Sequence, residues 1–152
     1  WSNYYPSDNY PFMYKCRSAN SSIIKYRYAD VLLLKAEALI MQDTPDLDGA
    51  ADIIDEVRER AKLGALSAST RSNKNAMLNA LLKERRLELA FEGQRWFDLV
   101  RLDKVEEVMN AVYSKDSGRK AQVYAFDKTS YRLPIPQSVI DANDKIHQNP
   151  GY

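Results

Sequence analysis

Three glutamates lie four residues apart in one short stretch of this 152-residue chain: Glu84, Glu88 and Glu92. If the stretch is helical, this spacing places their carboxylates on one face of the helix. Two carboxylates at a fixed separation can act as the general acid and base of a glycoside hydrolase. Arginines in the same stretch offer another partner, because guanidinium groups bind carboxylates through paired hydrogen bonds. Both interpretations are open, and we favour the structural one.

The segment Glu84–Arg101 mixes charged side chains with large apolar ones instead of separating them onto two faces of a helix. Some of its charges must therefore lie against a packed core, where an unpaired charge is costly. We predict a fixed arginine–carboxylate network that joins the first helix to the third. Its predicted members within the segment are Glu84, Arg85, Glu88, Glu92, Arg95, Asp98 and Arg101.

Aromatic residues are concentrated at the start of the chain. Flat aromatic rings can stack on the C–H faces of pyranose rings, while nearby polar side chains bind the hydroxyls. The candidate stacking residues are Trp1, Tyr4, Tyr5, Tyr10 and Tyr14. The favoured alternative is burial of these rings against other parts of the protein, because aromatic side chains contribute large burial energies.

Other chemistries find no support in the sequence. Cys16 is the only cysteine, so no internal disulfide and no paired-cysteine zinc site is possible. His147 is the only histidine, and no spacing supplies it with partners for catalysis or metal binding. The five glycines are scattered, so no phosphate-binding loop is predicted. We expect no catalytic residue, no metal and no cofactor, and therefore no enzyme.

Length and charge narrow the class of protein further. The formal net charge is +1, and the basic residues are mixed with acidic ones, which argues against a nucleic-acid surface. The longest apolar run, Val31–Leu34, ends at Lys35 and is too short to span a membrane. The length suits one domain with a real core. We expect a single domain over residues 1–152, with an irregular aromatic-rich segment at 1–22 and a helical body and C-terminal wrap at 23–152.

Apolar periodicity predicts the helices that must position these residues. The first begins near Tyr26, the second runs to about Leu63 and the third begins near Asn73. Further helices are predicted over Gln94–Leu102, through Val105–Val112 and over Gln137–Asn143.

Glycines and a polar stretch predict the breaks between these helices. Gly64 is predicted as a left-handed terminator of the second helix, and Ala65–Ser72 as a small polar loop. Gly93 is predicted to end the third helix.

The first two helices resemble one tetratricopeptide repeat. Tyr28–Gln42 and Leu47–Lys62 fit the length of its two antiparallel helices, about 34 residues in all. A single repeat cannot bury its apolar faces alone, so the third helix and the C-terminal segments must complete the core. Pro134 and Pro136 exclude a regular helix or central strand near them. The predicted fold is mostly α, with a tetratricopeptide-like helical hairpin, further packed helices and an irregular proline-containing C-terminal segment.

Three motifs resemble those of the SusD/RagB family. The first is the segment Glu84–Arg101, and the resemblance implies that its Trp96 and Phe97 pack in the core. The second is Arg27–Leu33 followed by Ala36-Glu37-Ala38, and it adds Arg27 to the predicted charge network. The third combines Leu133–Pro136 with the terminal Gln148–Tyr152. Together the motifs extend over most of the chain from Tyr26 onward, in the order the family has them.

The resemblance implies a function that the residues alone do not reveal. Members of this family are surface lipoproteins of Bacteroidetes-type bacteria that bind glycans or other nutrients and pass them to a TonB-dependent, SusC-like transporter of the outer membrane. They are much longer than this chain, so we expect a lipid anchor on a missing N-terminus, a cell outer-membrane location, and a fragment that is itself soluble. Their glycan sites are mostly built by loops outside these motifs, so no binding residue is carried over. The alternative is a helical-repeat protein–protein interaction scaffold with no sugar site in this fragment.

Overall fold

The computed structural model describes Lys15, residues 24–115 and residues 126–152. These residues fall into two compact units, one that ends at Arg95 and one that begins at Trp96. All regular structure within the described ranges is helical, with seven α-helices, one 3-10 helix and no strand. The predicted mostly α fold class is therefore confirmed. The irregular segment predicted at 1–22 lies outside the described residues apart from Lys15, and the single-domain organisation stays a prediction.

The first unit contains four helices: α1 (Tyr28–Met41), α2 (Leu47–Arg60), α3 (Ala68–Arg71) and α4 (Lys74–Glu88). Polar side chains cap the N-termini of three of these helices, because they accept hydrogen bonds from otherwise unsatisfied backbone N–H groups. Asp46 accepts from the Gly49 N–H at 2.9 Å, Ser67 from the Thr70 N–H at 3.2 Å and Asn73 from the Ala76 N–H at 2.9 Å. These caps explain why α2 and α4 begin close to the predicted positions.

The core of the first unit lies between α1, α2 and α4. α1 packs mainly against α2 and also against α4. Alanines occupy the contact positions together with branched and long apolar side chains, so the helices can approach closely. The buried core residues are Leu33, Ala36, Ile40, Ala50, Ala51, Ile54, Val57, Met77 and Leu81. α4 therefore covers an apolar surface that the hairpin of α1 and α2 cannot bury by itself.

Two predictions about the connection after α2 are wrong. The stretch Ala65–Ser72 is not only a loop, because the Ser67 cap supports the short helix α3 within it. Lys62, not Gly64, takes the left-handed conformation, with φ of 61°. The Leu63 N–H donates to the Arg58 carbonyl at 2.9 Å, which closes the terminal turn around Lys62 before Gly64 is reached.

The third predicted helix also ends earlier than expected. α4 ends at Glu88, five residues before Gly93, and the intervening turn contains two left-handed residues, Phe91 with φ of 66° and Gly93 with φ of 79°. Helix α5 (Arg95–Arg101) follows this turn. Glu92 stands between the two left-handed residues, so the turn sets the direction of its side chain.

The second unit contains α5 from Trp96 onward, α6 (Val105–Lys115), a 3-10 helix (Lys128–Tyr131) and α7 (Gln137–Ala142). Side-chain amides hold its irregular C-terminal segment together. Gln148 donates to the Ile135 carbonyl at 3.0 Å and accepts from the Ile135 N–H at 2.8 Å, and Asn149 donates to the Leu133 carbonyl at 2.6 Å. The two halves of the third motif are thereby joined.

The expected core packing of Trp96 and Phe97 is only partly right. Trp96 is half-buried, whereas Phe97 is 65% exposed. Consecutive residues of a helix point in different directions, so the Trp96 side chain can face the packed interior while that of Phe97 faces away from it. Within the described ranges, no helix combines the length and the apolar composition needed to cross a membrane.

Candidate functional site

Three charged residues of the first two motifs, Arg27, Glu88 and Glu92, meet at the C-terminal end of α4. Arg27 stands directly before α1, at a position where a residue that caps the helix is normally found, but its side chain makes no cap. Its Nε donates to Glu92 Oε2 at 2.8 Å and to Oε1 at 3.0 Å, and its Nη1 donates to Glu88 Oε1 at 2.6 Å. One guanidinium thus ties the start of α1 to the end of α4.

Glu88 connects this arrangement to α2 as well. Arg60, the last residue of α2, donates from Nη2 to both Glu88 carboxylate oxygens at 2.6 Å. The Glu88 carboxylate therefore joins three helices. We refer to Lys15, Arg27, Arg60, Glu88 and Glu92 as the Glu88 cluster.

Lys15 brings a third cation to the same place. Its Nζ donates to the backbone carbonyls of Glu88 at 2.8 Å and Ala90 at 3.1 Å, and it forms an ion pair with Glu92. The last carbonyls of a helix lack partners within the helix and carry partial negative charge. The ammonium group of Lys15 and the Nη2 group of Arg27, which donates to the Glu88 carbonyl at 2.5 Å, both satisfy this end of α4.

The charges of the cluster favour each other's ionised forms. Burial raises the pKa of the Glu92 carboxyl, but hydrogen bonds from Arg27 and Lys15 outweigh that effect and leave the pKa below its ordinary value. The hydrogen bond to Glu92 raises the pKa of the Arg27 guanidinium above its ordinary value, against the opposing effect of burial. At neutral pH the pair is therefore ionised.

A second ion pair joins α1 to α4 deeper in the first unit. Arg85 Nη1 lies 2.9 Å from Asp30 Oδ1, and the two side chains are only 1% and 3% exposed. The two atoms are close but lack the alignment of a directed hydrogen bond, so the contact is an ion pair. We refer to it as the buried pair.

The remaining residues of the predicted network lie in other contacts. Arg58 Nη1 donates to Glu84 Oε2 at 3.0 Å, and Arg95 Nη1 donates to the Leu82 carbonyl at 3.1 Å. In the second unit, Arg101 Nη2 donates to Asp98 Oδ1 at 3.0 Å. The structure thus brings Arg27, Glu88 and Glu92 together, and the contacts given above for Glu84, Arg85, Arg95, Asp98 and Arg101 involve other partners.

Sequence reasoning missed four partners: Asp30, Arg58, Arg60 and Lys15. Asp30 could have been predicted as a partner, because it follows Arg27 in the second motif and stands in the first turn of α1. The sequence indicated Arg58 and Arg60 less strongly, only as basic residues in the last turn of α2. Lys15 is 73 residues from Glu88 in sequence, and no motif or spacing pointed to it.

The geometry at the three glutamates suits a structural role better than acid–base chemistry. Each of Glu84, Glu88 and Glu92 accepts a charged hydrogen bond from an arginine. Within the described ranges, no group of three or more His, Cys, Asp or Glu side chains could hold a metal ion. His147 is exposed. Cys16 and the candidate stacking residues Trp1, Tyr4, Tyr5, Tyr10 and Tyr14 lie outside the described residues.

A helical hairpin whose apolar face is covered by a third helix is the arrangement of a tetratricopeptide-like fold. The sequence profile of the SusD family matches residues 5–152, and the chain belongs to this family. The resemblance carried by the three motifs is thereby confirmed.

Known relatives agree with this assignment. The chain is similar to SusD-like protein P2 of Formosa agariphila, with 33% identity over 142 residues, which are 90% of this chain and 27% of that protein. It is 40% identical to SusD-like protein P38 of the same organism over 99 residues, covering 61% of this chain and 19% of that protein. The chain thus spans about a quarter or less of the length of these relatives.

Solved structures show the same fold. A SusD-like protein from Bacteroides fragilis matches with a TM-score of 0.69 and 28% identity, over 95% of this chain and 29% of that one. A SusD superfamily protein from Parabacteroides distasonis matches with a TM-score of 0.66 and 34% identity, over 84% of this chain and 27% of that one. The predicted tetratricopeptide-like architecture is therefore confirmed.

Proposed function

We propose that this chain is part of a lipid-anchored protein on the surface of the outer membrane that binds glycans or other nutrients and passes them to a TonB-dependent transporter. The observation that carries the proposal is the family match over residues 5–152, because SusD-like proteins are associated with glycan binding and nutrient uptake. The contacts of Glu84, Glu88 and Glu92 support a binding protein over an enzyme, since their carboxylates are already held by arginines.

The described residues would contribute to this function mainly as a scaffold. The Glu88 cluster and the buried pair join α1, α2 and α4, so that the hairpin and the third helix form one packed unit. A rigid helical frame can hold binding loops and a transporter contact in a fixed arrangement. The oligosaccharide or other nutrient would be recognised by shape, aromatic stacking and hydrogen bonds, with no cofactor.

The proposal is tested in the source bacterium with an affinity tag at the C-terminus of the full-length protein. We expect protease added to intact cells to digest the tagged protein, and a TonB-dependent transporter to co-purify with it from detergent-solubilised outer membranes. A periplasmic protein retained in unbroken cells serves as the control for leakage. A tagged protein that resists protease on intact cells but not after lysis, with no transporter in the eluate, would contradict the proposal.

A second function is favoured by one observation. The charged side chains of the motifs make contacts within the fold, as seen for Arg27 with Glu88, Glu84 with Arg58, Arg95 with the Leu82 carbonyl and Arg101 with Asp98. This supports a helical-repeat interaction scaffold with no sugar site in this part of the protein. Affinity electrophoresis in gels that contain polysaccharide separates the two: slower migration of the 152-residue chain itself favours a sugar site within it. Unchanged migration, with slower migration of the longer lipoprotein, favours the scaffold.

A further inference from the structure

An open cleft lies in the first unit between the start of α1 and the last turns of α2. Its volume is about 530 Å³, within the range of small-ligand clefts, which is roughly 300–1,000 Å³. Ala29, Leu32 and Val57 supply apolar walls. Tyr28, Glu56 and Arg60 line the same space. We refer to it as the Tyr28 cleft.

The aromatic side chain of this cleft is open to solvent. Tyr28 is the first residue of α1 and is 72% exposed, which leaves its ring available as a platform. An exposed phenol ring beside an apolar wall gains free energy when a ligand's apolar face covers it.

The charges that line the cleft oppose each other. Glu56 is exposed, and the side chain of Arg60 is 65% exposed although its Nη2 is fixed on Glu88. Arg27, the other cation in the lining, is neutralised by Glu88 and Glu92. The cleft therefore offers acceptor and donor groups without a net charge that would select an anion or a cation.

We propose that the Tyr28 cleft binds one pyranose unit of a neutral glycan, with the C–H face of the sugar on the Tyr28 ring and neighbouring hydroxyls on Glu56 and Arg60. This inference rests on the proposed function and gives it a site within the first unit. An apolar peptide fits less well, because it would desolvate Glu56 and Arg60 without replacing their hydrogen bonds. A pyranose presents an apolar face and a rim of hydroxyls together, as the cleft does.

The test measures dissociation constants by isothermal titration calorimetry for four probes: maltoheptaose, cellohexaose, xylohexaose and laminarihexaose. We expect at least one to bind the purified protein, and Tyr28→Ala to weaken that binding by about tenfold, the size of effect that loss of one aromatic stacking contact produces. Tyr28→Phe keeps the ring and should retain the affinity. Glu56→Gln keeps an acceptor but removes the charge, and should weaken binding by only about threefold.

Phe97→Ala is the matched control. Phe97 is an exposed aromatic residue of similar exposure, and it lines a different cleft, in the second unit, with Trp96, Val100, Arg101 and Tyr131. Affinity lost with Tyr28→Ala and kept with Phe97→Ala supports the inference. The inference is overturned if Tyr28→Ala keeps the affinity, or if only Phe97→Ala loses it. In either case the protein still binds a glycan, so the proposed function stands and only the position of the site is wrong.

If none of the four probes binds, the inference is overturned as well. The proposed uptake function is then decided separately, by the protease and co-purification experiment, which does not depend on this cleft. Thermal melting of each variant shows whether the fold is intact. Tyr28 is exposed, so Tyr28→Ala should leave the melting temperature near that of the unmodified protein.

Discussion

Two of the charged contacts between α1 and α4 differ in how far they are removed from solvent. The buried pair of Arg85 and Asp30 is almost fully removed from solvent. The Glu88 cluster is partly exposed and redundant, because each carboxylate accepts from two cations and each arginine contacts Glu88. From this difference we expect the cost of removing a charge to depend less on its type than on whether a substitute partner or water can reach the group left behind.

The largest effect is expected at the buried pair. Arg85→Met leaves the Asp30 carboxylate in the interior without its cation, which should lower the free energy of unfolding by about 3–5 kcal/mol. Urea denaturation at pH 7 measures this value. The double variant Asp30→Leu/Arg85→Met removes both charges and should recover much of the loss. A loss below about 1 kcal/mol for the single variant would show that burial does not set the cost here.

A smaller effect is expected at the Glu88 cluster. Glu88→Ala should lower the free energy of unfolding by about 1–3 kcal/mol, because Arg27 keeps Glu92 and the Glu88 carbonyl as partners. The matched control is Arg60→Ala, whose loss should stay below about 1 kcal/mol because its side chain is mostly exposed. If Glu88→Ala proved as costly as Arg85→Met in the same urea series, the redundancy of the cluster would be refuted.

The turn that presents Glu92 to the cluster can be tested without touching a charge. Gly93 has φ of 79°, and an added Cβ would meet no atom within 4 Å, so Gly93→Ala introduces backbone strain alone. We expect a loss of about 1–2 kcal/mol in the free energy of unfolding. Gly64→Ala is the control, because Gly64 has no positive φ and equally open space. That change should be neutral or stabilising by less than about 1 kcal/mol, and equal losses at both glycines would contradict the explanation.

The smallest effect is a pH dependence of the cluster. Hydrogen bonds from Arg27 and Lys15 outweigh the effect of burial and lower the pKa of Glu92 in the folded state. Its contribution to stability is therefore complete above the unfolded pKa of about 4.3 and is lost as the pH falls through the lower folded pKa. Urea denaturation from pH 7 to pH 3 should show the stability of the unmodified protein converging on that of Glu92→Gln. A constant difference across this range would show that Glu92 gains nothing from being ionised.

The amino-acid pattern predicted much of the helical framework because its signals are local. α2 and α4 begin where Asp46 and Asn73 can cap them, and apolar periodicity marks the faces that meet in the core. The exceptions have local causes that no simple pattern shows. The left-handed turn formed at Lys62 instead of Gly64, and Ser67 began a short helix where a loop was predicted.

The candidate site was predictable in its members but not in its pairings. The motifs named Arg27, Glu88 and Glu92, and the structure brings them together across 61 and 65 residues of sequence. Arg85 was named too, but nothing in the spacing showed that Asp30 would be its partner or that this pair would be the more deeply buried. The exposed ring of Phe97 is a similar case, since the family resemblance predicted burial.

The sequence by itself determined the family, the helical class and the places where α2 and α4 begin, because these depend on residue types at short and fixed spacings. Only the tertiary structure decided which charge meets which, which of them loses contact with water, and that Tyr28 borders an open cleft between α1 and α2. The physical reason is that desolvation and ion pairing depend on atoms contributed by several helices at once, and those distances exist only after the helices have packed.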